Sequence, residues 1–341
     1  IGMSIINSTR LAINKIDNSL IEIIPKDTKS NPETTLKKAK ELNKLGIKII
    51  IGPVFNNNLI YLDELKNITF LSLTNKDINN SKTIISAGIN ATSQLKAIQK
   101  FITLNDIKKS IFLIPDSNYK NEIKKAISNS KIKITKSYIY DSSPTKLTNQ
   151  IEKITSYKKR KQNLEDEIKR LENSDEANKE LLIERLKKKD TLGNVNFDSI
   201  IIADFDESLK SITTSLLYTD ISPKEKYFIT LNQWFDESLL KETSSQPIYF
   251  PSINKKNYED FTIEYFEKFN QYPNQLSFLS FDLVGLIYYL ILQNNLIIDE
   301  KIFTKKNMFK GKIGIFEIKN NKINHILNFY KVENEDFKKI F

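Results

Sequence analysis

The stretch IKIIIGPVFNNN, Ile47–Asn58, decides the fold class. Its apolar run, Ile47–Ile51, stops at Gly52-Pro53 and is followed by three asparagines, which is typical of a buried strand that ends in a polar loop. Residues 31–46, just before it, place Leu and Ala at helical spacing and end in Gly46, a C-terminal helix signal. We therefore predict a helix followed by a buried strand.

The same alternation extends in both directions from that stretch. Leu20–Ile24 and Ile68–Leu73 read as strands on either side, so the order is strand, helix, strand, helix, strand. This order is typical of a parallel sheet whose strand-end loops form a ligand crevice. Further strands are predicted at Lys109–Pro115, Ile132–Tyr140, Phe197–Ala203, Lys226–Leu231 and Ile248–Ser252, and helices at Ser93–Leu104, Tyr119–Ser128, Tyr258–Asn270 and Leu276–Gln293.

The C-terminal stretch changes character. Gly314–Ile318 and His325–Val332 have strand composition and are separated by Asn320-Asn321, which predicts a β-hairpin.

Composition limits the function classes. The 341 residues suit two domains of ordinary size, and the net charge is +10. Only four of the 52 basic residues are Arg, and the lysines accompany many Ile and Asn residues along the whole chain. This is the bias of an AT-rich genome, so we predict no nucleic-acid binding. The absence of Cys excludes disulfides, thiol catalysis and cysteine-ligated metal sites.

The most apolar segment, Phe278–Leu292, carries Asp282 within an amphipathic pattern. It is shorter than the roughly 18 apolar residues of a membrane helix. We therefore predict a core helix and no membrane span in this sequence.

Residues Lys158–Asp190 interrupt the alternation. Twenty of these 33 residues are charged, and two narrow leucine and isoleucine stripes are separated by Asn173-Ser174-Asp175. This pattern predicts a protruding helical hairpin with solvated faces. It is either a tolerated surface insertion or a docking arm for a protein partner.

Catalytic constellations are missing from the sequence. His325 is the only histidine and is predicted to lie on the surface or on an edge strand. The glycines form no phosphate loop, and no Ser-centred hydrolase signature occurs. Asp204, Asp206 and Glu207 fit a helix N-terminus better than a cation site. We therefore predict neither an enzyme, nor a metal site, nor a cofactor.

The candidate ligand site comes from the loops at the strand ends, which should converge at one crevice. Ser72 and Thr74 alternate with leucines, so their hydroxyls should point to the same side of the strand. Tyr119 and Trp234 have flat faces with a polar tip, which suits the wall of a pocket. The predicted ligand-binding residues are Asn56, Asn57, Ser72, Thr74, Asp116, Tyr119, Asp204, Phe205, Asn232 and Trp234.

The succession of NSTRLAINKID (Asn7–Asp17), the IGPV turn and the Pro115–Tyr119 turn resembles the type I periplasmic binding proteins, in particular their leucine-binding branch. In the second half, FDSIIIAD (Phe197–Asp204) and FKGKIGIF (Phe309–Phe316) resemble the penicillin-binding-protein activator group within that fold. Asp27 and the Ser72–Thr74 strand end also resemble the type I periplasmic binding proteins, and LNQWFD at Leu231–Asp236 and the stretch Tyr265–Asp282 also resemble the activator group.

The resemblance implies a two-lobed α/β fold in which each lobe is a parallel sheet flanked by helices. We expect residues 1–115 plus 247–312 in lobe 1, residues 116–246 plus 313–341 in lobe 2, and the insertion 158–190 in lobe 2. The chain would cross between the lobes near Asp116, Pro247–Pro251 and Lys312. In this family a strand precedes the first helix, so we expect a preceding segment to complete the cleft.

Two functions follow from the resemblance. The first is a non-enzymatic protein, periplasmic or anchored to the outer membrane on its periplasmic side, which regulates peptidoglycan synthesis by contact with a synthase. The alternative is a solute receptor that delivers an amino acid or similar small polar ligand to an ABC-transporter permease. The leucine-binding branch implies a serine-rich turn where this sequence has Asn56-Asn57-Asn58, which argues against a simple amino-acid receptor.

Overall fold

The computed structural model describes residues 1–16, 21–78, 81–299 and 302–341. The α-helices in these ranges are α1 (Gly2–Ile16), α2 (Pro32–Lys44), α3 (Ala91–Leu104), α4 (Lys120–Ser130), α5 (Pro144–Ile154), α6 (Tyr157–Glu172), α7 (Lys179–Lys187), α8 (Asp206–Tyr218), α9 (Ser238–Lys241), α10 (Lys255–Phe269) and α11 (Gln275–Gln293). The strands are β1 (Ile49–Ile51), β2 (Thr69–Ser72), β3 (Ile84–Ser86), β4 (Ser110–Pro115), β5 (Lys136–Tyr140), β6 (Ser199–Ile202), β7 (Tyr227–Thr230), β8 (Ile248–Ser252), β9 (Asn307–Lys310), β10 (Ile315–Lys319), β11 (Lys322–Ile326), β12 (Asn328–Glu333) and β13 (Asp336–Lys339).

The decisive stretch folds as its sequence predicts. The Asn31 side chain caps α2 by accepting a hydrogen bond from Thr34 N at 2.8 Å, and Pro32 occupies the first helical turn. Gly46 follows the helix with φ +79°, a left-handed conformation that suits glycine. β1 then pairs in parallel with β2, with Ile50 opposite Phe70.

The chain divides into two compact units, each made of discontinuous segments. Unit 1 comprises residues 1–97 and 252–328, and unit 2 comprises residues 98–251 and 329–341. These boundaries differ from the expected lobe boundaries because β4 pairs with β5 and β6, which brings residues 98–115 into unit 2. In the same way, β10 and β11 stay with β9 in unit 1.

Unit 1 contains two small sheets. β1, β2 and β3 form a parallel sheet, whose core includes Leu62, Phe70 and Ile84 together with Ala39 of α2. The second sheet, β11-β10-β9, is antiparallel. Its hairpin turns at Asn320-Asn321, both with positive φ, which confirms the turn predicted from the two asparagines.

Unit 2 is built on one seven-stranded sheet with the order β13-β12-β8-β7-β6-β4-β5. Strands β5, β4, β6, β7 and β8 pair in parallel, whereas β12 and β13 pair antiparallel. β4 and β6 are buried along their whole length, as expected for strands that are covered by helices on both faces.

Two of the predicted strands are wrong. Residues 21–28 form no strand, although Leu20–Ile24 has strand composition; Leu20 lies outside the described residues, as does Asp17. A strand needs a neighbouring strand to form hydrogen bonds with its backbone groups. Among the described residues β1 pairs only with β2, so residues 21–28 do not join this sheet. The predicted strand His325–Val332 is interrupted at Leu327 because β11 belongs to the unit 1 hairpin and β12 to the unit 2 sheet.

Helices α6 and α7 form the predicted hairpin at 158–190, called the arm below. Leu164 and Leu171 are its buried seam, while Leu181 on α7 is 50% exposed. The base of the arm is fixed by Arg160, whose buried guanidinium donates hydrogen bonds to Thr155 O (3.1 Å), to Thr191 Oγ1 (2.9 Å) and to Thr219 O. All three partners belong to unit 2, so the arm is anchored to it through a satisfied cation.

Helix α11 is the one helix of the described chain that is long and apolar enough to cross a membrane. Length and composition alone satisfy that test, and 56% of its most apolar window is buried inside the protein. It packs against α1, with the Ser8 hydroxyl donating to Ser277 O at 2.5 Å. Burial of this extent agrees with the predicted core helix.

Asp282 of α11 stabilises the turn between β9 and β10. Its carboxylate accepts hydrogen bonds from Lys312 N (2.9 Å) and from Ile313 N (2.7 Å), and the residue is 3% exposed. A Cβ at Gly311 would lie 2.2 Å from Asp282 Oδ2, so only glycine lets the turn approach this closely.

We expect Gly311→Ala to destabilise unit 1 by about 1–3 kcal/mol, because the added methyl group displaces the Asp282 carboxylate from its two donors. The measurement is the free energy of unfolding from urea titrations followed by circular dichroism. Gly2→Ala is the matched control, since nothing lies within 4 Å of the position where its Cβ would be. Equal stabilities of the two variants would contradict the role given to the turn.

Asp282 also predicts a pH dependence. Burial raises the pKa of this carboxyl from its usual value to about 6, so the folded state binds the proton more tightly than the unfolded state. Its contribution to stability is therefore present below about pH 4, is lost as pH rises to 6, and stays lost above. Urea titrations from pH 4 to 8 should show the wild-type chain losing stability relative to Asp282→Asn over that interval. A stability difference between the two chains that does not change with pH would contradict the raised pKa of Asp282.

Candidate functional site

The predicted site residues fall into both units. Six of them follow parallel strands of unit 2: Asp116, Tyr119, Asp204, Phe205, Asn232 and Trp234. The other four, Asn56, Asn57, Ser72 and Thr74, follow β1 and β2 of unit 1. Each group is described by itself.

Asp204 is the centre of the unit 2 group. It follows β6, is 6% exposed, and accepts hydrogen bonds from Tyr140 Oη to Oδ2 at 2.5 Å and from Phe205 N to Oδ1 at 3.0 Å. Burial raises the pKa of the Asp204 carboxyl, and burial together with this hydrogen bond raises the pKa of Tyr140. The sequence interpretation missed Tyr140, although its place at the end of the Ile132–Tyr140 pattern puts it beside Asp204.

Two further side chains close around Asp204. Tyr119 Oη donates to Ala203 O at 3.4 Å, and burial, followed by the nearby Asp204 charge, raises the pKa of Tyr119. Gln233 Nε2 lies 3.4 Å from Asp204 O and 3.2 Å from Leu231 O, and it also bonds to the Thr230 hydroxyl. The polar groups at this edge therefore bond mainly to one another.

Asn232 and Trp234 form the loop after β7. Asn232 is 4% exposed, and its Oδ1 accepts a hydrogen bond from Trp234 N at 3.0 Å. Trp234 and Phe235 both have positive φ, of 49° and 59°, so the loop makes a left-handed bend there. Phe235 turns into the core against Phe250 and Tyr330, whereas Trp234 stays half-buried.

Asp116 stands apart from the Asp204 cluster. It is exposed and pairs with Lys120 one helical turn further on, which is an ordinary surface ion pair at the start of α4. The neighbouring Ser117 hydroxyl is buried and has no hydrogen-bond partner of normal geometry within the described ranges.

In unit 1, the two predicted hydroxyls are used inside the protein. Ser72 Oγ donates to Pro53 O at 2.7 Å and accepts a hydrogen bond from Thr74 N at 3.3 Å. Thr74 Oγ1 accepts a hydrogen bond from Lys76 N at 3.3 Å. Ser72 is fully buried and Thr74 is 6% exposed. These hydroxyls fix the loops after β1 and β2.

Asn56 and Asn57 are exposed on a short 3-10 turn, Asn56–Leu59, and Asn58 is the buried member of the triple asparagine. This turn places Asn58 and Leu59 inward, so the two predicted asparagines face solvent.

His325 was predicted to lie on the surface or on an edge strand; the edge strand is correct and the surface position is wrong. It lies on the edge strand β11, but its ring is buried, with Nε2 2.9 Å from Ala87 O, and Ser93 Oγ accepts a hydrogen bond from its backbone N at 3.1 Å. Burial lowers its pKa to about 4, so the ring is neutral at ordinary pH. The alternation of the predicted hairpin could have indicated this burial, because Ile323, His325 and Leu327 share one periodicity.

Within the described ranges, no three His, Asp or Glu side chains come close enough together to hold a metal ion.

No family model and no curated protein matches the sequence. Solved structures are similar along nearly the whole chain. The LpoA (YraM) C-domain from Haemophilus influenzae, a regulator of PBP1A, matches with a TM-score of 0.67 and 14% identity, over 99% of this chain and 95% of that one.

Two transport proteins match as well. A substrate-binding protein of an ABC transporter from Desulfitobacterium hafniense, in complex with Leu, has a TM-score of 0.64 and 12% identity over 98% of this chain and 95% of that one. The leucine-binding protein LivK from Thermotoga maritima has a TM-score of 0.59 and 14% identity over 99% and 93%. This chain has the type I periplasmic binding fold. That result confirms the resemblance found in the sequence at the level of the fold.

We expect Tyr140→Phe to lower the free energy of unfolding by about 1.5–3 kcal/mol, because it removes a donor to the buried Asp204 carboxylate. Tyr218→Phe is the matched control, since Tyr218 is 56% exposed. Urea titrations of both variants test this expectation. An unfolding free energy of Tyr140→Phe equal to that of Tyr218→Phe would show that Asp204 does not depend on this bond.

Proposed function

We propose that this chain is a non-enzymatic, extracytoplasmic binding protein that regulates peptidoglycan synthesis by contact with a synthase. Its location would be the periplasm, or the periplasmic side of the outer membrane. The fold likeness to the LpoA C-domain, a regulator of PBP1A, over 99% of this chain supports the proposal.

The observation that carries the proposal is the internal use of the strand-end polar groups. A solute receptor needs polar groups in its pocket that are free to fix the ligand. Here the Ser72 hydroxyl is committed to Pro53 O, and the buried Asp204 carboxylate is committed to Tyr140 and Phe205. Withdrawing such a buried group from its partner in order to bind a solute would cost about 1–3 kcal/mol.

The arm is the surface that we propose for the synthase. Its base is held by the buried Arg160 and by the bond from Leu192 N to Arg160 O at 2.9 Å, so its two helices start and end at one fixed point. Beyond that point α7 has no buried residue, and Leu181 is half exposed among charged side chains. An exposed apolar side chain within a charged rim suits a protein contact.

The alternative is a receptor that delivers a small polar solute to an ABC-transporter permease. It is favoured by the half-buried aromatic residues Tyr119, Phe205 and Trp234 after the unit 2 strands, and by the likeness to a structure that binds Leu. This alternative requires a solute that binds saturably, and it gives the arm no role.

The test measures binding of a purified peptidoglycan synthase from the source organism by biolayer interferometry, together with its polymerisation rate. One variant replaces residues 162–189 by a short Gly-Ser loop, which keeps Arg160 and Thr191; a second is Leu181→Ser. We expect the loop variant to abolish binding and Leu181→Ser to weaken it roughly tenfold, the effect of about 1.4 kcal/mol.

Ile263→Ser is the matched control, because Ile263 is an exposed isoleucine of α10 in unit 1 (58% exposed). It should bind the synthase like the wild-type chain. Synthase binding that survives removal of the arm would refute the assignment of this surface. Absence of binding by the wild-type chain would refute the proposed function itself.

A further inference from the structure

Strand β5 is an open edge of the unit 2 sheet. It is the last strand in the order β13-β12-β8-β7-β6-β4-β5, and among the described residues it pairs only with β4. β4 is buried along its whole length, whereas Lys136, Ser137 and Ile139 of β5 are exposed. The side of β5 that faces away from β4, called the β5 edge below, can therefore receive a further strand.

The backbone of β5 shows which groups face that side. Tyr140 O accepts a hydrogen bond from Asp116 N at 2.8 Å, so the Tyr140 backbone is turned toward β4. Because successive residues of a strand direct their N–H and C=O groups to opposite sides, the Ser137 and Ile139 backbones point away from β4. No strand of the described chain lies there, so their N–H and C=O groups are available to a partner.

The residues around the β5 edge carry an excess of positive charge. Residues 120–141 contain six lysines and only two acids. One of these acids, Asp141, is already paired with Lys146 at 2.8 Å, and one of the lysines, Lys120, with Asp116. The other five lysines are exposed and form no ion pair within the described ranges: Lys124, Lys125, Lys131, Lys133 and Lys136.

The opposite edge of the same sheet has a different charge. Residues 333–341, which include β13, contain three acids and two lysines. Glu333 pairs with Lys331 at 2.7 Å and with Lys338 at 3.6 Å, so charges of both signs are interspersed there. Open backbone groups and an excess of lysines therefore coincide at the β5 edge. A second copy of this chain is a poor partner for it, because the lysines of two such edges repel each other.

The side chains of β5 define the chemistry of the partner. Lys136 and Tyr138 lie on one face of the sheet, with the Lys136 ammonium group 4.8 Å from the centroid of the Tyr138 ring. Ile139 lies on the other face and is 45% exposed. A strand paired with β5 would place alternate side chains on these two faces. Acidic residues beside Lys136 and aliphatic residues beside Ile139 are complementary to them.

Polyanions that carry phosphate groups fit the β5 edge less well. Residues 120–141 contain no arginine, which is the side chain that forms bidentate hydrogen bonds with phosphate. A lipid headgroup or a nucleic acid would also leave the outward strand backbone unpaired. An extended peptide with carboxylates uses both the backbone and the charge.

We propose that the β5 edge binds an extended peptide with alternating acidic and aliphatic residues, which adds a strand to the unit 2 sheet through hydrogen bonds to the Ser137 and Ile139 backbones. The proposal concerns unit 2 alone. It does not depend on the contact between the arm and a synthase.

The test is fluorescence anisotropy of a fluorescein-labelled hexapeptide, Glu-Val-Glu-Val-Glu-Val, titrated with the full chain at low ionic strength. We expect saturable binding that weakens as salt is added, because exposed charges are screened. The double variant Lys131→Glu, Lys133→Glu should weaken binding roughly tenfold. Both lysines are exposed, so this variant should keep the wild-type melting temperature.

Two further measurements test the strand pairing itself. In the saturated complex, the amide hydrogens of Ser137 and Ile139 should exchange with solvent about tenfold more slowly, as measured by nuclear magnetic resonance. Ser137→Pro removes one outward donor and none of the bonds to β4, so it should weaken binding roughly tenfold without lowering the melting temperature.

The controls separate strand pairing from charge alone. The peptide Glu-Pro-Glu-Pro-Glu-Pro has the same charge but lacks half of the main-chain donors, and it should not bind. Lys305→Glu, Lys306→Glu is the matched double variant, since both lysines are exposed in unit 1, and it should bind the valine peptide like the wild-type chain.

Four results would each overturn the proposal. They are the absence of saturable binding, equal binding of the proline peptide, an unchanged exchange rate at Ser137 and Ile139 in the complex, and an unchanged affinity in the Lys131→Glu, Lys133→Glu variant. Binding of the chain to phosphatidylglycerol vesicles without binding of the valine peptide would instead identify a membrane surface as the partner, and would also refute the proposal.

Discussion

Parallel pairing of β4, β6 and β7 is the interaction on which unit 2 depends. The register places Ile111 opposite Ile200, and Ile200 opposite Phe228, so each strand buries apolar side chains on both sides of the sheet. Because parallel strands run in one direction, their polar ends are brought to one edge of the sheet. There the chain must satisfy the backbone and carboxylate groups that water can no longer reach. Asp204 and the side chains around it meet that requirement.

The same requirement limits what the strand ends can do for a ligand. Asp204 is bonded to Tyr140 and Phe205, and the Gln233 amide to backbone oxygens. In unit 1 the Ser72 hydroxyl is bonded to Pro53 O. These groups stabilise the loops and are not free to bind a solute. The arm keeps charged and apolar groups exposed, which is why we propose the partner contact there.

Local sequence patterns predicted the fold well where the residues of one element, or of its turn, determine its structure. The asparagine cap and closing glycine of α2, the turn at Asn320-Asn321 and the strand Ile248–Ser252 are examples. Long-range pairing decided the cases that failed: His325–Val332 reads as one strand but serves two sheets. The ten predicted ligand-binding residues stay a prediction, and their hydrogen-bond partners could not be read from the sequence. Sequence places Ser72 at a strand end, yet only the folded backbone shows that Pro53 O takes its hydroxyl.

The most direct test of the central claim is a thermal unfolding experiment in the presence of Leu, the other amino acids and small carboxylates at millimolar concentration. A ligand that binds only the folded state must raise the melting temperature. At a ligand concentration of 100 times its dissociation constant, it adds about 2.7 kcal/mol to the free energy of unfolding. We predict no saturable rise with any of these solutes, because the strand-end polar groups are already bonded within the protein. A saturable rise with an amino acid, lost in Trp234→Ala, would contradict the account and establish the receptor function.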